Sequence, residues 1–142
     1  MKSRALLSAA LLLMSGATAS SAQTLEPVAQ RIAAAWNKND AAALTAFAAK
    51  PGISLELAGE RVGPLPARQA AAALRSLFDK RETVTTRAGI AKEITGQPRR
   101  AFLELSWITR QPGTSETARS TVFVALVFED GHWRVTEIRH MQ

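Results

Sequence analysis

Glu137 and Arg139 are the residues of this 142-residue chain best placed to do chemistry. They stand two apart in an alternating segment, so both side chains project from one face of the strand they form. A carboxylate there can act as a general base. A guanidinium there can anchor a carboxylate or phosphate through paired hydrogen bonds. Trp107 and Trp133 can add flat apolar walls to such a site, and Trp36 can complete its boundary. The same spacing also lets Glu137 and Arg139 close on each other as an ion pair.

Absent residue types narrow the choices further. The chain has no Cys and no Tyr, and only two His. That excludes disulfides, thiolate nucleophiles and iron–sulfur ligation, and any mechanism that needs a phenol as acid or oxyanion donor. His132 lies beside a turn and His140 near the end of the last strand, and neither has an acidic residue at ligand spacing, so no metal or cofactor is expected. Asp40 reads as a helix cap. The formal charge is +6, but the cations are scattered, and only Lys80-Arg81 and Arg99-Arg100 adjoin. Without a basic stripe and interleaved aromatics, nucleic-acid binding is not expected.

Residues 1–22 read as a secretory signal. Lys2 and Arg4 form a basic start, Ala5 to Met14 an apolar run, and Ser20 and Ala22 the small residues before a cut at Gln23. Ala17 and Ala19 offer a second cleavage site. The run is about half of what a bilayer span needs, so the expected mature chain, 23–142, is exported to a periplasm or beyond and has no membrane span. Removing Lys2 and Arg4 lowers its positive excess to four.

The elements that must position the site follow from periodicity. Leu25, Val28, Ile32 and Trp36 mark one stripe of a helix, with Thr24 available as its cap. Asp40 caps a second helix, Ala41 to Ala49. Ile53 to Leu57 alternates as a strand, turned by Gly59-Glu60-Arg61 into a partner at Val62 to Leu65. Pro66 opens a third helix, Ala67 to Lys80. Four strands follow, at Thr83–Thr95, Arg100–Arg110, Thr117–Phe128 and His132–His140. Asp130-Gly131 between the last two is a strong hairpin signal. Helices on one face of an antiparallel sheet make a single α+β domain, ordered ααββαββββ.

Faces follow from that two-residue turn. Phe128 opposes Trp133 and Leu126 opposes Val135. Unbroken pairing then sets Val124 against Glu137 and Val122 against Arg139. This apolar face is taken as the inner one, which puts Glu137 and Arg139 inside. Leu103, Leu105 and Trp107 point inward from their strand, as do Val84, Ala88, Ile90 and Ile94 from theirs. Phe123, Ala125, Val127, Thr121 and Ile138 fall on the outer face, whose apolar content predicts a homodimer.

The order of elements, with Ala35-Trp36-Asn37, Asp40 to Phe47 and Gly131-His132-Trp133-Arg134-Val135, resembles the nuclear transport factor 2-like superfamily, which includes the SnoaL-like proteins. The tail Trp133 to Arg139 is similar to that of its small secreted, uncharacterised bacterial members. The resemblance implies a strongly curved sheet wrapped around three helices as a cone, often with a pocket at its mouth and often dimeric through the outer sheet face. Enzymes of that superfamily include ketosteroid isomerases and scytalone dehydratases, which use Tyr with carboxylates or His. This chain offers only Glu137 at an inward position, and the neighbouring Arg139 makes it a weaker base. The expected function is therefore non-catalytic binding of a small apolar or anionic ligand, or of a partner protein, through the cone mouth, with Trp36, Trp107, Trp133, Glu137 and Arg139 as contacts. The alternatives are an isomerase, cyclase or hydratase with Glu137 as base, and a dimerisation or scaffold module.

Overall fold

Amphipathic spacing forms the helices where the apolar stripes lie. The computed structural model describes residues 24–142, so the leader expected at 1–22 lies outside the described residues. Helix α1 (Leu25–Asn37) buries Val28, Ile32 and Trp36. Thr24 stands at its cap position without a side-chain cap hydrogen bond. Asp40 does cap α2, accepting the Ala43 amide at 3.0 Å.

Helix α2 (Ala41–Thr45) is shorter than the expected span to Ala49. The sheet takes over the residues that follow. The Val135 amide donates to the Phe47 carbonyl at 2.6 Å, and the Ala49 amide donates to the Val135 carbonyl at 2.9 Å. Backbone groups bonded sideways to a strand are no longer free to continue a helix.

The chain continues through β1 (Ile53–Leu57), β2 (Glu60–Leu65), α3 (Ala67–Asp79), β3 (Glu82–Ile94), β4 (Arg100–Arg110), β5 (Thr117–Glu129) and β6 (His132–Met141). The order ααββαββββ is the expected one. The strands form a curved, open six-stranded sheet in the order β2-β1-β6-β5-β4-β3. The last four make an antiparallel meander, and β1 joins it by pairing parallel to β6.

Both two-residue hairpin turns carry backbone in the left-handed region. Asp130 (φ 49°) and Gly131 (φ 79°) form the expected hairpin. Between β1 and β2 the turn falls on Ala58 (φ 54°) and Gly59 (φ 80°), with Leu57 paired to Glu60. Both central residues of such a turn need positive φ, which Asn tolerates far better than Ala. Ala58→Asn is therefore expected to stabilise the protein by about 1 kcal/mol, seen as a raised thermal midpoint. An unchanged midpoint would count against this turn.

The decisive departure from simple alternation lies in β6. Pairing runs as expected from Glu129↔His132 to Leu126↔Val135, and then shifts, so that Ala125 meets Glu137, Val124 meets Ile138 and Val122 meets His140. Thr136 is the extra residue of a β-bulge, and its hydroxyl donates to the Ala125 carbonyl at 3.2 Å. One inserted residue exchanges the faces of everything beyond it. Ile138 and His140 are buried with the core. Glu137 and Arg139, expected inside, pair with Ala125 and Phe123 on the outer face.

Strand β3 departs for the same reason. Its register slips between Thr83 and Thr85 and again between Ala88 and Ala91. Ala88 and Ala91 pack on the core, whereas Val84, Ile90 and Ile94, all expected inside, are exposed. On β4 the alternation is unbroken, and Leu103, Leu105 and Trp107 are buried as expected.

Candidate functional site

The expected site residues fall into three separate places. Trp36 and Trp107 meet between α1 and the sheet, with ring centroids 5.3 Å apart and planes at 89°. Phe78 of α3 packs edge-on to Trp36 at 5.1 Å and to Trp107 at 6.1 Å. Each edge-to-face pair adds about 0.5–1.5 kcal/mol beyond burial. Both tryptophans are 0% exposed, so aromatic rings fill the space between the helices and the sheet. The Trp107 Nε1–H donates to Thr83 Oγ1 at 2.9 Å, and that hydroxyl donates to Asn39 Oδ1 at 2.6 Å. The chain ties its β4 indole to the loop after α1.

Trp133 is also buried, but near the other end of the sheet. It packs edge-on to Phe128 at 5.2 Å. The Arg99 guanidinium lies 4.5 Å from the Phe128 ring centre and 5.3 Å from that of Trp133. This cation–π contact covers the bottom of the core.

Glu137 and Arg139 stay together, on the outer face. Arg139 Nε donates to Glu137 Oε1 at 2.5 Å, and Arg61 of β2 approaches the same oxygen at 3.4 Å. Arg139 also lies 4.0 Å from Glu56 and 5.4 Å from the Phe123 ring centre. Two guanidinium groups already occupy the oxygen that a substrate proton would have to reach. The arrangement is a partly exposed ionic lattice joining β2, β1 and β6, and such pairs contribute little each, about 0–1 kcal/mol.

The bulge brings His140, which simple alternation placed on the outer face, inward to Ser120. His140 Nε2 and Ser120 Oγ share a hydrogen bond of 2.9 Å, and the His140 ring packs edge-on to Trp107 at 5.2 Å. A serine and histidine at this distance are the elements of an activated nucleophile. Here they are 8% and 6% exposed, so the pair works as a satisfied polar element of the core. Burial, and secondarily the charge of Arg81, hold His140 below its ordinary pKa of 6.5. The unfolded chain thus takes up this proton at a higher pH than the folded one. The stability involved is complete above about pH 6.5 and declines as pH falls through the interval down to the folded value. Denaturation midpoints measured across that range should fall with pH, and His140→Asn should flatten the slope. Equal slopes in both proteins would contradict this burial.

Two of the molecule's open spaces bear on the site. At the rim of the cone, where α3 ends and β4 gives way to β5, a cavity of about 430 Å³ is lined by Lys80, Arg81, Thr109, Gln111, Glu116 and Thr117. None of these stood among the expected contacts. The adjoining pair Lys80-Arg81 was the signal available in the sequence. On the outer sheet face, a groove of about 450 Å³ runs past Phe102, Phe123, Ala125, Val127 and Glu137.

Solved structures share this arrangement. A DUF4783 family protein from Bacteroides uniformis matches with a TM-score of 0.66 at 10% identity, over 80% of this chain and 94% of its own. A nuclear transport factor 2-like protein of unknown function from Shewanella oneidensis matches with a TM-score of 0.61 at 14% identity, over 82% and 95%. The chain has the nuclear transport factor 2-like fold. A hypothetical protein with a ketosteroid isomerase-like fold from Catenulispora acidiphila, in complex with trimethylamine, matches this nuclear transport factor 2-like cone at 0.61 and 15% identity, over 84% and 87%. No protein-family model and no curated protein matches the chain. At these identities the likeness concerns the backbone, and shared fold does not carry chemistry across. Within its nuclear transport factor 2-like fold, this chain carries the Trp36–Phe78–Trp107 cluster. Among the described residues, no helix is long and apolar enough to cross a membrane.

Proposed function

We propose that this chain is an exported, non-catalytic binding domain that takes a small ligand at the rim of its cone. The observation carrying this reading is the aromatic filling of the cone body by Trp36, Phe78 and Trp107, beside an open, polar-lined cavity at the rim. In this reading Trp107 forms part of the rigid floor beneath the ligand, and the Glu137–Arg139 pair is a strut of the outer face. The closed ion pair argues against Glu137 as a general base. The leader at 1–22 supports export.

A fragment screen read by backbone amide shifts tests the binding role. Perturbations should cluster at residues 109–118 and should vanish in Ala118→Trp, which fills the rim. A screen that moves no amide in that stretch would remove the rim from consideration.

A second, compatible reading is homodimerisation through the outer sheet face. It is favoured by Phe102 and Phe123, stacked 5.6 Å apart at 20° beside an open groove. Sedimentation at high micromolar concentration should give a dimer for the native chain and a monomer for Phe123→Glu. A native monomer would defeat it.

A further inference from the structure

The rim cavity carries an unbalanced charge. Lys80 and Arg81 follow α3 directly, and neither makes an ion pair with another of the described residues. Arg81 is half-buried. A guanidinium withdrawn from water without a counter-ion is costly, and an oxyanion is the group that matches its fork of donors. Thr109 and Thr117 bring hydroxyls to the same cavity and Gln111 an amide, each able to donate to an oxygen. Glu116 lies in the lining as well, and its charge disfavours large, multiply charged anions. The volume falls in the lower part of the range of small-molecule sites, enough for a molecule and more than an isolated ion requires.

We propose that the rim cavity binds the oxyanion end of a small molecule, a carboxylate or a phosphate monoester, with Arg81 as its principal donor and Lys80 as its second charge. This deepens the binding role above and rests on it. The ligand would sit over Thr109, two residues along β4 from Trp107. Arg81 already acts electrostatically on His140, and His140 packs on Trp107. Occupancy should therefore be visible in the Trp107 fluorescence as well as in the amides of 109–118.

The test titrates the protein with inorganic phosphate and with succinate at constant ionic strength, following those amides and the tryptophan emission. Saturable binding by at least one is expected. Phosphate alone would select the phosphate monoester class, and succinate alone the carboxylate class. Arg81→Gln should weaken binding by about tenfold or more, and Arg81→Lys, which keeps the charge but loses the fork, by less. Lys92→Gln removes an equal charge from the far end of β3 and should leave affinity unchanged. Lys80→Gln, at an exposed position, carries the comparison if Arg81→Gln does not fold. Equal losses in the Arg81 and Lys92 variants would mean bulk electrostatics and would overturn the proposal. If neither anion saturates while neutral fragments still move the rim amides, the oxyanion assignment falls and the binding role stands. If nothing moves them, both fall.

Discussion

Trp107→Ala is expected to cost about 3–5 kcal/mol, a large part of the ordinary stability of a domain, roughly 5–15 kcal/mol. Trp107 is where the structure's separate parts meet. Its ring touches Trp36 of α1, Phe78 of α3 and His140 of β6, and its indole N–H reaches Thr83 of β3. Truncation would open a void under both long helices and remove the indole donor to the Thr83 hydroxyl. Trp107→Phe should be milder, losing the hydrogen bond and part of the ring, at about 1–2 kcal/mol. Denaturant midpoints would measure both. A cost under about 1 kcal/mol for the alanine variant would mean that the ring faces open space, and the ligand site would then belong in the cone body.

Ile138→Asp should be among the most damaging substitutions in the sheet. The bulge at Thr136 turns Ile138 into the core, where it is 1% exposed and meets Val124. Burial of Ile138 is worth about 2–3 kcal/mol, and an unpaired carboxylate brought into an apolar core costs several more. The sum exceeds about 5 kcal/mol, so the variant should show no cooperative thermal transition. Deleting Thr136 should do far less, because Glu137 would then follow Val135 and still meet Ala125, and Ile138 would still meet Val124, with no change of face. Thr136→Ala keeps the residue count and loses only the hydroxyl bond to the Ala125 carbonyl, at about 1 kcal/mol. A cooperative melt for Ile138→Asp close to that of the native chain would show that Ile138 does not face the core.

That bulge also explains what could be read in advance. Strand β4 was legible residue by residue because Leu103, Leu105 and Trp107 alternate without interruption. The Asp130-Gly131 turn correctly located the first pairs of the last hairpin as far as Val135. Beyond it, face assignment depended on whether one residue, Thr136, would be skipped. A bulge at threonine leaves no composition signal of the kind that glycine or proline leaves. The exposed Val84, Ile90 and Ile94 of β3 failed for the same reason, since apolar residues at bulges and along an edge strand fit alternation equally well on paper. The short α2 was missed because its end is imposed by Val135, distant in sequence. The rim shows a different limit. Lys80-Arg81 was visible as a pair, but its cavity depends on Thr109 and Thr117 arriving from two other strands.

The parallel pairing of β1 with β6 also sets a timetable. Ile53 to Leu57 leaves the ribosome long before residues 132–141 exist, and only the β2 hairpin is available to it meanwhile. The segment Phe47 to Ala49 likewise waits for Val135. The β1–β2 hairpin and the segment after α2 thus have no place in the main sheet until the last strand has been delivered. Contacts of such long sequence separation make folding slow and late. If the chain is exported as proposed above, that delay would be useful, because a polypeptide lacking its closing strand stays loose enough to thread and commits to its shape only on the far side.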